Sequence, residues 1–212
     1  MDIALRARQI LSDEAGEEAE RLASAEVYAA SVAGALLEVS RLRPRAARVE
    51  LELEAGPDQP YPPGWDSGIS SILSVEFPPG SRRPRLLAAS SLLTGPDGWR
   101  ILDRSYAPGD RAVLTFTLPW TQASIPDSLA EAAAHLAASL VAQAVAARFG
   151  RSNAPAIPAD SVNYREKADV WRELSAHLRR RGLAIAGAAA DAQGNAVPSP
   201  AARHADWGWP QL

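Results

Sequence analysis

The chain has 212 residues, 47% of them apolar, no cysteine and a formal net charge of -3. That length predicts one main domain plus extensions. Lack of cysteine excludes a disulfide framework, a thiolate nucleophile and a cysteine-ligated zinc site, and the slightly acidic balance gives no overall signature of a nucleic-acid or membrane binder. No stretch reaches the roughly 18 apolar residues that a bilayer span needs. The start, MDIALRARQILSDEAGEE, lacks the long apolar run of a signal peptide, so a soluble protein made in a cytoplasm is expected.

Residues 2–12 read as a short amphipathic helix with Ile3, Ala7, Ile10 and Leu11 on one side. A longer helix is predicted over 16–42. Its acidic start (Glu17, Glu18, Glu20) suits the positive end of a helix dipole, and it stops with Arg41 and Arg43 before Pro44. Leu22, Ala29, Val32, Leu36 and Val39 form its apolar stripe. At Arg48 the period changes to two: Val49, Leu51 and Leu53 alternate with Glu50, Glu52 and Glu54, as in a half-buried antiparallel strand. The segment GPDQPYPPGWDSG then reads as an irregular loop.

Four more strands follow in the reading: Leu73 to Phe77, Leu86 to Leu93, Trp99 to Tyr106 after the TGPDG turn, and Ala112 to Leu118. Helices return after Pro126, where Ser128 with Glu131 fits a capping box and Asp127 is an alternative cap. Residues 128–149 are apolar almost all round, which predicts burial on most sides, against neighbouring subunits as well as the chain's own core. Asp160 is expected to cap a last helix over 161–181, with Tyr164, Ala168, Trp171, Leu174 and Leu178 on one face and Gly182 as its stop. Residues 183–212 read as a flexible tail.

The expected fold class is therefore α+β: a helical core of three to four helices, an inserted five-stranded antiparallel sheet, and an extended C-terminal tail. The expected domain covers 1–182, with helices 16–42, 128–149 and 161–181, and the β insertion spans about 48–118.

The candidates for chemistry are few. His135 could be a general base, but no nucleophile or orienting carboxylate accompanies it, so a packed or interface histidine is the better reading. Glu173 and His177 at i, i+4 make half a metal site without a third ligand, and His204 has no partner. Glu50, Glu52 and Glu54 line one strand face and suit solvent or arginine pairing better than a cation. The basic clusters Arg41/Arg43/Arg45/Arg48, Arg82/Arg83/Arg85 and Arg179/Arg180/Arg181 could meet phosphates. Helix-dipole compensation and salt bridges explain them more simply, since no aromatic residues interleave with them. The chain holds no GxGxxG, GxxxxGK[ST] or GxSxG motif. No catalytic, cofactor-binding or metal residue is assigned.

Two segments carry a resemblance. IPDSLAEAAAHLAASLVAQAVAARFG runs from an Ile-Pro start through an alanine-packed helix with a central histidine. After a short loop comes DSVNYREKADVWRELSAHLRRRG, an amphipathic helix opened by Asp-Ser-Val-x-Tyr-x-x-Lys and closed by arginines. With GWDSGISSILSVEFP in the sheet insertion, residues 16–182 resemble the head-to-tail adaptor (connector) family of tailed bacteriophages.

The resemblance implies a structural virion protein of the neck, made in the host bacterial cytoplasm. About a dozen copies would form a ring beneath the portal protein, extend the DNA channel and present a surface to the next neck, stopper or tail component. It implies no enzyme activity, cofactor or membrane, and genomic DNA would pass non-specifically. Leu136, Leu140, Trp171 and Leu178 are the expected subunit-packing residues. Trp207, Trp209, Pro210 and Leu212, crowded at the end of the tail, are the expected docking residues for the portal or another partner. The competing readings are another phage neck or tail-completion protein, and a small ligand-binding or enzymatic module with Trp65, Trp99 and Trp120 lining a pocket in the sheet insertion.

Overall fold

The computed structural model describes residues 1–16, 18–54, 58–77, 79, 85–88, 92–95, 98–101, 109–151, 164–187, 189–190 and 196–197. The protein is mixed α+β, with helices and small antiparallel sheets, and it forms two compact units. One unit takes Met1–Leu42 and Thr121–Leu212; the other is Arg43–Trp120.

In the first unit α1 spans Ile3–Ala15 and buries Ile3, Ala7, Ile10 and Leu11, the side expected from its periodicity. Asp2 caps it by accepting from the Leu5 amide at 3.1 Å. Gly16, read in the sequence as the start of the next helix, instead ends α1. Its φ of 66° is the left-handed conformation that glycine adopts without strain, and its amide donates to Ser12 O. The predicted long helix is two: α2 (Glu18–Leu22) and α3 (Ala25–Leu42), parted at Ala23 and Ser24. The buried stripe of α3 is Tyr28, Val32, Ala35 and Val39, with Ser31 and Ser40. Val32 and Val39 match the expected stripe. Ala29 is exposed, because the tertiary contacts rotate the buried face toward Tyr28 and Ala35.

Helix α4 (Asp127–Arg151) is the centre of this unit. Thirteen of its 25 residues are buried, and α1, α3 and α5 (Tyr164–Ile185) all pack on it. It is long and apolar enough to cross a membrane, which corrects the expectation that no stretch is, yet 72% of its apolar stretch is buried inside the protein. Most of its apolar surface is thus covered by the chain's own helices, while Ala144 and Ala147 stay exposed. Leu136, Trp171 and Leu178, expected at subunit contacts, are 0%, 4% and 0% exposed within this one chain, and Leu140 is half-buried. The anticipated capping box is also absent. The Leu129 and Ala130 amides donate to Pro126 O, and Glu131 is engaged elsewhere.

Gly182 does not stop α5, which runs on to Ile185; Leu183 and Ala186 are buried, so the first residues assigned to the tail belong to the helical core. The helix is closed by Gly187, with φ 74° and its amide on Ala184 O. Further on, β8 (Ala189–Ala190) pairs with β9 (Ala196–Val197). The remainder of the expected tail, with Trp207, Trp209, Pro210, Leu212 and His204, lies outside the described residues, as does the Asp160 cap.

The second unit divides its strands between two antiparallel sheets rather than one of five strands. The first has the order β1-β7-β3-β4, from β1 (Arg45–Glu52), β7 (Arg111–Leu118), β3 (Ile72–Phe77) and β4 (Arg85–Ala88). The second has the order β2-β6-β5, from β2 (Asp58–Gln59), β6 (Trp99–Ile101) and β5 (Leu92–Thr94). The predicted strand 86–93 is therefore split between sheets. The proline-rich segment read as irregular supplies β2. Gln59 there makes a two-way clamp on Glu54, accepting from its amide at 2.8 Å and donating to its carbonyl at 3.1 Å.

Leu53, Ile72, Val75, Trp99, Ala112, Leu114 and Phe116 form the core of this unit, with Val49 and Leu51 packed against it. Ile72 rather than Leu73 faces this core. The β3–β7 register slips between Ile72 and Ser74, and one extra residue reverses which side chains point inward. The first and last residues of the unit are tied together, since Trp120 Nε1 donates to Arg43 O at 2.5 Å.

Candidate functional site

Three groups of side chains, two in the helical unit and one in the sheet unit, are the places where chemistry could gather. The first surrounds His135. On α4, Glu131 and His135 stand one turn apart, with His135 Nε2 3.6 Å from Glu131 Oε1. Arg6 of α1 reaches across and binds the same carboxylate with two donors, Nη2 to Oε1 at 2.9 Å and Nε to Oε2 at 3.0 Å. Arg181 of α5 ion-pairs with Glu14 of α1 at 4.0 Å, and both act electrostatically on His135.

His135 is 3% exposed and its Nδ1 has no hydrogen-bond partner among the described residues. Burial, then Arg181, holds the imidazole below its ordinary 6.5; Glu131 opposes, Arg6 adds to the lowering and Glu14 opposes it. The hydrogen bond from Arg6 holds the Glu131 carboxyl below its ordinary 4.5. His135 is thus a neutral histidine packed among charged neighbours. The sequence suggested a packed histidine, but the reading that no carboxylate accompanies it is corrected by Glu131, one turn away at i, i+4. Arg6, 125 residues away in the chain, left no sign in the sequence.

The second group lines a groove of about 770 Å³ on the helical unit, walled by Glu14 and Glu18 on one side and by Val170, Trp171, Glu173, Leu174, His177 and Arg180 on the other. It brings the suspected Glu173/His177 pair beside two further carboxylates. Glu18 is already paired with Lys167 at 2.8 Å and Glu14 with Arg181. Among the described residues no three His, Cys, Asp or Glu side chains are placed to hold a metal ion. Val170, at 60% exposed, is the apolar residue that the groove leaves most open.

The third is the sheet. Glu50 and Glu52 lie on the exposed side of β1, as the alternation required, and Glu54 is also exposed. Arg111 pairs with Glu50 at 3.3 Å and Arg48 with Glu76 at 2.5 Å, so these charges find arginine and glutamate partners within the same sheet. The three tryptophans proposed for a pocket take separate tasks. Trp99 is 1% exposed in the core, with its Nε1 on Pro60 O; Trp120 holds Arg43 O. Trp65 stacks on Tyr61 with ring centroids 4.1 Å apart and leans on Phe116.

The basic clusters resolve differently from one another. Arg41 lies in the last turn of α3, where it complements the dipole. Arg179, Arg180 and Arg181 do not, because α5 continues past them. Arg179 instead binds Glu38 of α3 at 2.6 Å. Arg82 and Arg83 lie outside the described residues. Compared with protein-family models and with curated proteins, the chain matches none.

Proposed function

We propose that the chain is a structural protein of a tailed-bacteriophage virion, a head-to-tail adaptor. Copies of it would form a ring beneath the portal, extend the DNA channel and link it to the neck or tail. The observation that carries this reading is the division of the chain: a sheet unit, Arg43–Trp120, inserted into a helical unit built from the segments before and after it. That is the organisation on which the resemblance of residues 16–182 rests. The charged residues in the described part support it as well. Several are paired with each other, as Arg6 with Glu131, Lys167 with Glu18 and Arg179 with Glu38. Self-association is part of the proposal, but it rests on the family role and not on an uncovered α4.

The test is microscopy of intact particles from cells that make this chain, labelled with an antibody against the sheet unit. Label at the head–tail junction, with the chain present in purified particles at roughly ring stoichiometry, is the expected result. Particles that lack the chain would overturn the proposal, and so would label confined to the tail tip.

A further inference from the structure

We propose that Glu131 and His135 form a proton-gated clasp for the N-terminal helix: when His135 takes up a proton, Glu131 turns from Arg6 to His135 and α1 loosens from α4. The geometry sets up the exchange. Glu131 is one carboxylate with two suitors. Arg6 holds it by a fork of donors at 2.9 and 3.0 Å, while His135 Nε2 waits 3.6 Å from Oε1, just beyond hydrogen-bond reach. A movement of about half an ångström within one turn of α4 would convert that approach into a charge-assisted bond.

The histidine has little else to satisfy it. It is 3% exposed and Nδ1 is unpartnered among the described residues, so a charged ring would sit almost wholly out of solvent with no acceptor on Nδ1. The charges facing it come from three helices: Arg6 and Glu14 from α1, Glu131 from α4 itself, and Arg181 from α5. On α3 Glu38 is committed to Arg179. Two of the four, Arg6 and Arg181, repel an imidazolium, and Glu131 is the carboxylate within reach of its Nε2.

The cost of charging His135 is therefore lowered in one way above others, by drawing Glu131 inward and letting the Arg6 guanidinium go to solvent, with which it is already in contact at 38% exposure. Arg6 ties the first turns of α1 to α4, so its release falls on α1 before it falls on α5 or the sheet. The clasp does not depend on the proposed place of the chain in a virion.

Hydrogen exchange on the full chain, corrected for intrinsic rates, tests the clasp. Between pH 7.5 and 5.5 the α1 amides should lose protection by up to about tenfold per pH unit, while α5 amides change far less. H135Q should abolish this selective loss. E131Q should leave α1 weakly protected at both pH values. Should H135Q fold poorly, the three histidines of the chain allow a direct reading by NMR titration. R6Q removes a repelling charge and frees Glu131, so it should raise the midpoint of His135 by both routes. The clasp itself is read on α1, which R6Q should leave weakly protected at both pH values, as E131Q does. Equal loss of protection in all helices, or a His135 midpoint unmoved by R6Q, would overturn the proposal.

Discussion

Gly182 of α5 lies so close to Leu136 of α4 that a Cβ at position 182 would stand 2.9 Å from Leu136 Cγ and 3.1 Å from the Ala132 carbonyl oxygen. The alanine-rich surface of α4 lets a neighbouring helix approach closely, and the glycine is what fits the gap. An alanine here gains about 1 kcal/mol of helix propensity. It must also displace a buried leucine and a backbone carbonyl, and overpacking of that kind costs about 1–3 kcal/mol.

Gly182→Ala should therefore destabilise the helical unit by about 1 kcal/mol net. Gly150→Ala is the control. A Cβ there meets only the Arg172 guanidinium, at 3.5 Å, and the change should be neutral or stabilising. Urea unfolding followed by far-UV circular dichroism distinguishes the two. Equal effects at both positions would show that the close approach has no energetic consequence.

Acid should weaken the helical unit in two stages. His135 is held below its ordinary 6.5, so the folded state binds fewer protons than the unfolded one. Its contribution is complete above about 6.5 and erodes as the pH falls toward the folded value. Glu131 is held below its ordinary 4.5 by Arg6, and its contribution is present above that value and lost as the pH falls through the depressed one. Denaturation midpoints should fall from pH 7 to 5.5 in the wild type and stay flat in H135Q, with both proteins losing stability further below pH 4.5. A wild-type profile that is flat to pH 5 would contradict the burial of a neutral His135.

Trp99→Ala should cost about 3–5 kcal/mol, because it empties the centre of the sheet core and abandons Pro60 O. Trp120→Phe should cost about 1 kcal/mol, the value of one hydrogen bond to the Arg43 carbonyl. Thermal melts resolve the ranking. A larger effect at Trp120 would mean that the tie between the ends of the sheet unit outweighs its core.

Deletion of residues 203–212 removes Trp207, Trp209, Pro210 and Leu212. Under the adaptor proposal it should leave the melting temperature nearly unchanged and abolish attachment to the portal, since clustered tryptophans act at interfaces by filling pockets. Incorporation of the truncated chain into particles at wild-type efficiency would exclude an anchoring role.

A DNA channel must let the genome slide. The chain is slightly acidic, at -3, and a ring of copies multiplies that charge. Filter binding at moderate salt should give weak, sequence-independent retention. Nanomolar or sequence-specific binding would contradict the channel proposal.

The sequence by itself determined the mixed α+β class, the buried side of α1 and the alternation of β1. Each follows from a local period: 3.6 residues for Ile3, Ala7, Ile10 and Leu11, and two for Val49, Leu51 and Leu53. Tertiary structure alone decided what covers α4, because periodicity says that a surface is buried and not by which partner. It also decided that strand 86–93 would divide between two sheets and that Gln59 would join a strand beside prolines. Those outcomes depend on which strand each segment meets: Ala88 pairs with Ser74, Leu93 with Arg100 in a local hairpin, and Gln59 with Trp99 far along the chain. Gly182 shows the same divide. As a letter after three arginines it reads as a helix stop; in the fold it is the point where two helices come close. In the Arg6–Glu131–His135 cluster the i, i+4 pair of Glu131 and His135 is local and legible in the sequence, whereas Arg6 joins it only when packing carries α1 across α4.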